Sequence, residues 1–285
     1  MTGIGRYDNI KVSKISSCLL LHLCNPHNWE DRMYKETFDA AGSAAVTKSG
    51  FLKKNPVGYF LMAMAAGAYI GFGNLLINTI GGQLAGAPAT KLAMGAAFGI
   101  ALSLVVIAGS ELFTGNNLVM AAGIFQKKVT VSEAVKLWIV CWIGNLAGSV
   151  LLAVLFHFSG LNNEATATFL ATAAATKMVV PFVPLLIRGI LCNVLVCLAI
   201  WCSFRCKSDA GKLIMVFWCL FAFIVCGFEH SVANMTQLTV ALLDPAGQAV
   251  SIGGYFYNLV TVTIGNMIGG ICFVALPYYV SQAKD

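Results

Sequence analysis

The sequence predicts an all-α membrane protein with six transmembrane helices, and three observations support this fold class. Hydrophobic residues make up 58% of the 285 residues and charged residues only 11%, whereas soluble domains carry about 25% charged residues. The apolar runs are long enough for membrane helices and too long for the strands of a membrane β-barrel. Two of the six runs contain glycines and a glutamate, which predicts that helices 2 and 5 are broken.

The first 32 residues do not fit this pattern. A mildly apolar stretch at 16–24 is too short for a signal peptide, and His22 interrupts it. We predict that residues 1–32 are an N-terminal extension that is disordered or precedes the true start at Met33. Residues 33–285 would then form a single transmembrane domain, which opens with an Ala-rich helix from Tyr34 to about Ser49.

Six transmembrane segments are predicted after this helix. Their bounds are Val57–Ile80, Leu92–Phe125, Leu137–Phe158, about Phe182–Phe204, Leu213–Leu243 and Tyr255–Val280. The region 159–176, between the third and fourth segments, is polar and rich in small residues. We therefore expect an exposed loop there.

Lysine and arginine residues lie mainly on one side of this topology, which indicates its orientation. The outer side would hold only Lys91 and Lys177. The inner side would hold Lys53, Lys54, Lys127, Lys128, Lys136, Arg205, Lys207, Lys212 and Lys284. We expect a multi-pass protein of the bacterial inner (plasma) membrane with both termini cytoplasmic. The net charge of +6 is spread over run ends rather than one basic face, so it does not indicate nucleic-acid binding.

The two interrupted segments match each other in spacing. Gly109-x-Glu111-x4-Asn116 in the second segment has the same spacing as Gly227-x-Glu229-x4-Asn234 in the fifth. The segments that follow share the pattern Ile-Gly-Asn-x-x-Gly, at 143–148 and 264–269. Two halves of three segments each must run in opposite directions through the membrane, which predicts two inverted three-helix repeats. Spacing alone sets no register between segments one and four.

The polar residues of the two interruptions are candidate site residues, because ionisable groups at membrane depth must face protein or water. We interpret His230 as a pore residue that gains or loses a proton near neutral pH; the alternative is a buried histidine that only joins helices. Glu111 and Glu229 are interpreted as structural, either accepting hydrogen bonds from freed backbone N–H groups or orienting His230. Asn116 and Asn234 are expected to cap or bridge the broken ends.

The electrostatics of broken helices favour small anions, because half-helix N-termini with partial positive charge point into the cavity. Lys177 would add attraction at the outer mouth, unless it is a boundary lysine that extends to the interface. Thr114 offers a hydroxyl to a permeant ion. Arg188 lies deeper than a boundary residue should, and we expect it to pair with a glutamate or with helix-end carbonyls.

Three motifs resemble the formate/nitrite transporter family of small-anion channels, and the resemblance covers about Tyr34 to Val280. The motifs are GSELFTG at 109–115, GILCNVLVCLA at 189–199 and GFEHSVANM at 227–235. The resemblance implies an aquaporin-like fold and a homopentamer with one pore per protomer. It also implies transport of a small monovalent anion, namely nitrite, formate or hydrosulfide, with a likeness nearer to the nitrite and hydrosulfide branches. Passage with a proton supplied through a central histidine and passage as an anion through a wet slit both stay open.

The resemblance further implies roles for individual residues. His230 would be the central pore histidine and Lys177 the vestibule lysine, with Asn193 near them. Thr114 would lie on the loop beside the slit, and Glu229 would belong to the pore. The implied constrictions are Leu102 on the cytoplasmic side and Phe98, Leu112 and Phe223 on the periplasmic side, with Phe223 between the two.

Two other classes of function fit the sequence less well. An intramembrane enzyme would need a nucleophile–base pair or a metal cluster. Consecutive residues such as Glu229-His230-Ser231 do not converge as a triad, and the ten cysteines lack the spacing of metal ligands. An aquaporin-type pore for neutral solutes usually carries paired Asn-Pro-Ala turns, which this sequence lacks. We therefore expect no enzyme activity, no cofactor and no metal, and we expect the anion, protons and the lipid bilayer as partners.

Overall fold

The computed structural model describes residues 26–282, with side chains from Tyr34 onward. The described chain is almost entirely helical. Its helices are α1 (Pro26–Lys54), α2 (Pro56–Gln83), α3 (Thr90–Ser103), α4 (Phe113–Phe125), α5 (Val131–Phe158), α6 (Glu164–Val179), α7 (Phe182–Arg205), α8 (Asp209–Cys226), α9 (Ser231–Leu243), α10 (Ile252–Gly270) and α11 (Leu276–Val280). Short π-helical stretches extend α3 over Leu104–Gly109 and join α10 to α11 over Ile271–Ala275.

Six helices of the described chain are long and apolar enough to cross a membrane, which confirms the predicted number. They are α2, α3 with its π-helical extension, α5, α7, α8 and the joined α10–α11, with mean hydropathies of 1.7 to 2.3. The protein is therefore a multi-pass membrane protein. The helices α4 and α9 have 13 residues each, about 20 Å, and are too short to cross an apolar layer of about 30 Å.

A short non-helical segment precedes each of these two short helices. Gly109 and Gly227 have φ angles of 81° and 75°, a left-handed conformation that glycine adopts without a side-chain penalty. The chain is then non-helical up to Leu112 and up to His230, which are the extended N-cap residues of α4 and α9. We call residues 110–112 the first break and residues 227–230 the second break.

The longest helices pack in two similar pairs, α2 against α5 and α7 against α10. Glycines at the crossings allow the backbones to touch. A side-chain carbon at Gly148 of α5 would overlap the carbonyl of Met64, and one at Gly269 of α10 would overlap the carbonyl of Ile190. This is the small-residue packing that membrane helices use, and it fixes the helices on either side of each break.

The predicted exposed loop at 159–176 is wrong, because α6 occupies most of it. Asn163 caps this helix by accepting a hydrogen bond from the Thr166 backbone N–H at 3.0 Å. Its alanines favour helix, and one face, including Ala167, Leu170 and Ala174, is buried against α2, α9 and α10. Small side chains allow that close packing, although they give the segment little hydropathy. The helix carries Lys177 in its last turn.

The helix α1 is longer than the predicted Ala-rich helix. Its backbone is helical from Pro26, so the predicted boundary between extension and domain falls inside it, and residues 1–25 of the predicted extension lie outside the described residues. Phe38, Ala41 and Ala45 are fully buried, and the helix packs against α4. This packing places Lys48 beside the first break.

Candidate functional site

One asparagine holds the first break in place. Asn145 of α5 is fully buried. Its Nδ2 donates to the carbonyls of Ala63 at 2.8 Å and Glu111 at 2.9 Å, and its Oδ1 accepts from the Phe113 backbone N–H at 2.9 Å. The side chain therefore satisfies two backbone groups that the loss of helix would otherwise leave unpaired at membrane depth, and its third bond ties α5 to α2.

A second asparagine makes the same three bonds at the second break. Asn266 of α10 is also fully buried. Its Nδ2 donates to the carbonyls of Gly189 at 2.7 Å and Glu229 at 3.0 Å, and its Oδ1 accepts from the Ser231 backbone N–H at 2.9 Å. The freed backbone groups are thus bonded by asparagines of the following helices, not by the glutamate carboxylates as expected from the sequence.

Backbone bonds give segments one and four the register that spacing did not provide. The Glu111 N–H donates to the carbonyl of Met62 at 3.2 Å, and the Glu229 N–H donates to the carbonyl of Arg188 at 3.2 Å. Arg188 and Gly189 of α7 therefore occupy the same positions relative to the second break as Met62 and Ala63 of α2 occupy relative to the first break. Positions in α2 and α7 can be compared on this basis.

Each glutamate forms an ion pair with a lysine from a helix that is not among the six membrane-spanning ones. Lys48 Nζ of α1 lies 2.7 Å from Glu111 Oε2, and Lys177 Nζ of α6 lies 2.7 Å from Glu229 Oε2. Glu111 is 8% exposed and Glu229 is 3% exposed. A buried carboxylate without such a partner would cost several kcal/mol, so the lysines compensate the charge that each break carries.

The asparagines of α4 and α9 bind these carboxylates, so of the two roles expected for them, capping and bridging, they bridge each break to the helix that follows it. Asn116 Nδ2 donates to Glu111 Oε2 at 3.1 Å. Asn234 Nδ2 donates to Glu229 Oε2 at 2.7 Å and to Asn258 Oδ1 at 2.8 Å. Each break thus carries a lysine–glutamate–asparagine triad.

A histidine and a threonine join the second break to the first turn of α4. His230 Nε2 lies 3.0 Å from Thr114 Oγ1, and the exposed fractions are 3% and 0%. The His230 Nδ1 accepts a hydrogen bond from the Ala233 backbone N–H at 3.1 Å, so Nδ1 carries no proton in this arrangement. The proton of the neutral ring is then on Nε2, which donates to the threonine hydroxyl.

Cavities approach the breaks from both ends of the helical domain. The Lys48 cavity, about 630 Å³, is lined by residues that include Lys48, Glu111, Leu112, Ile200, Phe204 and Lys212. The Lys177 cavity, about 680 Å³, is lined by residues that include Lys91, Lys177, Arg188, Phe223, Glu229 and His230. Helix α7 runs from Arg188 in one cavity to Phe204 in the other, about 24 Å along its axis.

A small central chamber of about 10 Å³ lies between the two cavities. Its walls include Phe98, Leu102, Leu112, Phe223 and His230. Leu112 also lines the Lys48 cavity, whereas Phe223 and His230 also line the Lys177 cavity. Phe98 packs edge-on against Phe223, with ring centroids 5.3 Å apart. Leu112 therefore lies on the side of the chamber opposite to Phe223, and the implied grouping of these two residues in one constriction does not match the geometry.

The sequence of the chain matches a known protein family over nearly all of the described residues. The sequence model of the family described as Formate/nitrite transporter matches residues 35–280. The chain belongs to the formate/nitrite transporter family. It is 39% identical over 258 residues to the nitrite transporter NirC of Salmonella typhimurium, covering 89% of this chain and 94% of NirC.

Solved structures of the family have the same fold. A structure described as an FNT family ion channel matches with a TM-score of 0.84 and 36% identity, covering 87% of this chain and 100% of that chain. A structure described as a pentameric formate channel with formate bound matches with a TM-score of 0.72 and 29% identity, covering 81% of this chain and 99% of that chain. Members of the formate/nitrite transporter family are transporters and channels, not enzymes.

The structure brings most of the predicted site residues together. Asn193 of α7 donates to the carbonyls of Asn266 at 2.6 Å and Thr114 at 3.3 Å, so it connects the chamber wall to α10. The Arg188 guanidinium makes no ion pair within the described residues and is exposed in the Lys177 cavity, which corrects the expectation that it pairs with a glutamate or with helix-end carbonyls.

Three residues of the site were not identified from the sequence. Asn145 and Asn266 lie in the repeated Ile-Gly-Asn pattern, and that repetition was the signal for them. No repeated spacing pointed to Lys48. It lies eight residues before Pro56, whereas Lys177 lies only four residues before Pro181, so the two lysines do not match in sequence. Within residues 34–282, no group of three or more His, Cys, Asp or Glu side chains is placed to hold a metal ion.

Proposed function

We propose that the protein is a membrane channel or transporter for small monovalent anions such as nitrite and formate. The observation that carries this proposal is the path from the Lys48 cavity through the central chamber to the Lys177 cavity, with a lysine at each end. The family supports it, since NirC is described as a nitrite transporter and a structural relative as a formate channel with formate bound.

The conformation described is closed. A cavity needs at least about 10–15 Å³ to hold one water molecule, and the central chamber has about 10 Å³, so it has no room for nitrite or formate. We propose that Leu102 and Leu112 form the constriction toward the Lys48 cavity and that Phe98 and Phe223 form the one toward the Lys177 cavity. Passage then requires these side chains to move apart.

The lysine–glutamate pairs suit an anion that must enter and also leave. An unpaired lysine at each end would hold an anion strongly, whereas an ion-paired lysine attracts it less and releases it more easily. In the chamber, the N-terminus of α4 beside Thr114 and the hydrogen-bond donor of His230 replace part of the water that the anion has lost. This compensation matters because a bare charge among apolar side chains costs several kcal/mol.

We assign His230 the role of a hydrogen-bond donor in the chamber. Protonation of Nδ1 would first break its bond to the Ala233 N–H, which disfavours a resident proton on the ring. A proton that travels with the anion would have to come from water in the cavities, or from His230 after that bond has opened. The Thr114 hydroxyl, which accepts from the ring, is then free to donate to the anion.

We further propose a homopentamer embedded in the bilayer, with the Lys48 cavity and both termini facing the cytoplasm. The pentamer follows the structural relative described as a pentameric formate channel. The orientation follows the concentration of lysine and arginine residues at the helix ends near that cavity.

Anion uptake into proteoliposomes tests this function. The full chain in purified form should raise the initial rate of nitrite and formate uptake well above that of protein-free vesicles. Water or glycerol permeation without anion uptake would favour an aquaporin-type pore and would overturn the proposal. Dependence on the membrane potential at equal pH would identify passage as an anion, whereas dependence on a pH gradient at clamped potential would identify passage with a proton.

A further inference from the structure

Arg188 and Lys91 are the two charged groups of the Lys177 cavity that lack a counter-ion among the described residues, and Arg188 is the one that carries a guanidinium. Lys177 and Glu229 neutralise each other at 2.7 Å, and the Glu229 carboxylate also accepts from Asn234. Within residues 34–282, no carboxylate oxygen lies within the 4.0 Å of an ion pair from the Arg188 guanidinium. The side chain is exposed and lines the cavity that leads to His230.

The first break shows that the fold does not need a charge at this position. Met62 stands where Arg188 stands, and its carbonyl accepts the same bond from the glutamate N–H, at 3.2 Å in both cases. Met62 also lines its own cavity. An arginine at the seventh residue of a membrane-spanning helix, about 10 Å from its start, is costly unless it has a function.

Three carboxamide residues of the Lys177 cavity also have apolar counterparts in the Lys48 cavity, a difference that favours anion binding. Asn74 and Asn78 of α2 line the Lys177 cavity. Ile200 and Phe204 of α7, which follow Arg188 at the same spacing as Asn74 and Asn78 follow Met62, line the Lys48 cavity instead. Gln237 likewise lines the Lys177 cavity, whereas Val119, which follows Asn116 at the same spacing as Gln237 follows Asn234, lines the Lys48 cavity. Carboxamides can replace the water of an arriving anion, and apolar side chains cannot.

The chemistry of guanidinium specifies the kind of anion. Its planar fork presents two parallel N–H donors that match two oxygens on one central atom. Nitrite and formate have that geometry, and hydrosulfide has only one heavy atom. We propose that Arg188 is an anion-binding residue that captures planar two-oxygen anions in the Lys177 cavity before they pass Phe223. This proposal rests on the proposed anion transport.

The test compares two replacements of Arg188 in proteoliposomes made from uncharged lipids. Arg188→Met introduces the residue that the first break already carries, so the fold should be kept. We expect it to raise the half-saturating nitrite concentration about tenfold, the effect of losing one charge-assisted bidentate contact, with little change in the maximal rate. Arg188→Lys keeps the charge and loses the fork, so nitrite and formate uptake at low concentration should fall about fivefold while hydrosulfide uptake stays within about twofold.

Lys91→Met is the matched control, because it removes one positive charge from the same cavity and leaves the Arg188 guanidinium in place. It should lower the uptake of all three anions by a similar factor. Size-exclusion elution and the melting temperature of each variant, measured in detergent, exclude loss of assembly as the cause of a change.

The outcomes separate this inference from the proposed function. A wild-type protein that carries no anion would overturn the proposed function. Wild-type anion uptake with unchanged half-saturation in Arg188→Met would overturn the capture site alone, and equal losses for nitrite and hydrosulfide in Arg188→Lys would remove the preference for two-oxygen anions. An effect of Arg188→Met that occurs only in vesicles with anionic lipid would show that the guanidinium binds a lipid headgroup, which also overturns the proposal.

Discussion

The two breaks share one scaffold and differ in the residues that face the chamber. Asn145 and Asn266 make the same three bonds, and both glutamates have lysine and asparagine partners. Yet Leu112 occupies the N-cap position of α4 without a capping bond, whereas His230 at the same position of α9 accepts a hydrogen bond from the Ala233 N–H. The comparison separates what holds a break open from what acts on a solute, because only shared features are required by the break itself.

The two cavities show the same division. Each contains a lysine–glutamate pair and a glycine with left-handed backbone conformation. The Lys177 cavity adds Arg188 and a set of carboxamides, whereas the Lys48 cavity is lined at the matched positions by Met62 and apolar residues. The chain thus places the guanidinium and the additional carboxamides on one side of the chamber.

The largest effect is expected from removing the asparagine of either scaffold. Asn145→Ala and Asn266→Ala each delete three buried hydrogen bonds, so each should lower the free energy of unfolding by about 3 kcal/mol, or the melting temperature by roughly 10 °C. Differential scanning fluorimetry in detergent measures this. Asn162→Ala is the control, since it deletes a single bond, to Asp244 at 2.8 Å, near the surface.

The comparison predicts equal losses for Asn145→Ala and Asn266→Ala. A difference of more than about 1 kcal/mol between the two losses would mean that the same three bonds contribute unequally to stability at the two breaks.

Glu111→Gln and Glu229→Gln should have the next largest effect, because each leaves a partly buried lysine without its counter-ion. The lysine side chains are 22% and 21% exposed and keep some contact with water, so we expect a loss of about 2 kcal/mol, less than for a fully buried pair. The loss should be larger for Glu229, whose side chain is 4% exposed against 11% for Glu111.

Thermal unfolding of the single and double variants measures the coupling. The double variant Lys177→Met with Glu229→Gln should be more stable than the sum of its parts predicts, since no charge is left unpaired. Strict additivity would show that the two side chains contribute independently.

The third largest effect is expected from a variant in which the second break carries the N-cap residue of the first. His230→Leu introduces the residue that occupies the N-cap position of α4, and it removes the donor to Thr114. Nitrite uptake into proteoliposomes should fall about tenfold, as expected when one buried hydrogen bond to the passing ion is lost, while the protein still assembles.

His230→Asn is the matched control for this variant, because an asparagine can still cap the Ala233 N–H. It should recover stability without recovering uptake. Full uptake in His230→Leu at every pH would remove the donor role of His230.

Much of the fold could be predicted because a bilayer imposes a minimum length on apolar helices. That constraint reveals α2, α5 and α7 directly. It does not reveal α6, which packs against α2, α9 and α10 through small side chains and has little hydropathy. The sequence therefore predicts a loop where the structure has α6.

The candidate site was predictable where the sequence repeats itself. The matched spacing pointed to Glu111 and Glu229, and to the histidine beside the second of them. Repetition shows where residues correspond, and it does not show what they bind. The ion pair with Lys48 arises from a helix more than sixty residues away, and only the packing of α1 against α4 brings it there.

The smallest effect is expected at Asn193, which differs from its counterpart for a packing reason. Gly67 occupies the matched position in α2, where a side chain would overlap the Asn145 carbonyl, whereas Asn193 donates to the Asn266 carbonyl at 2.6 Å. Asn193→Ala should therefore cost about 1 kcal/mol and lower nitrite uptake by less than about threefold, measured by the same melting and uptake assays. A loss comparable to that of Asn266→Ala would mean that Asn193 belongs to the shared scaffold, and that Gly67 replaces its bond by direct contact between the helices.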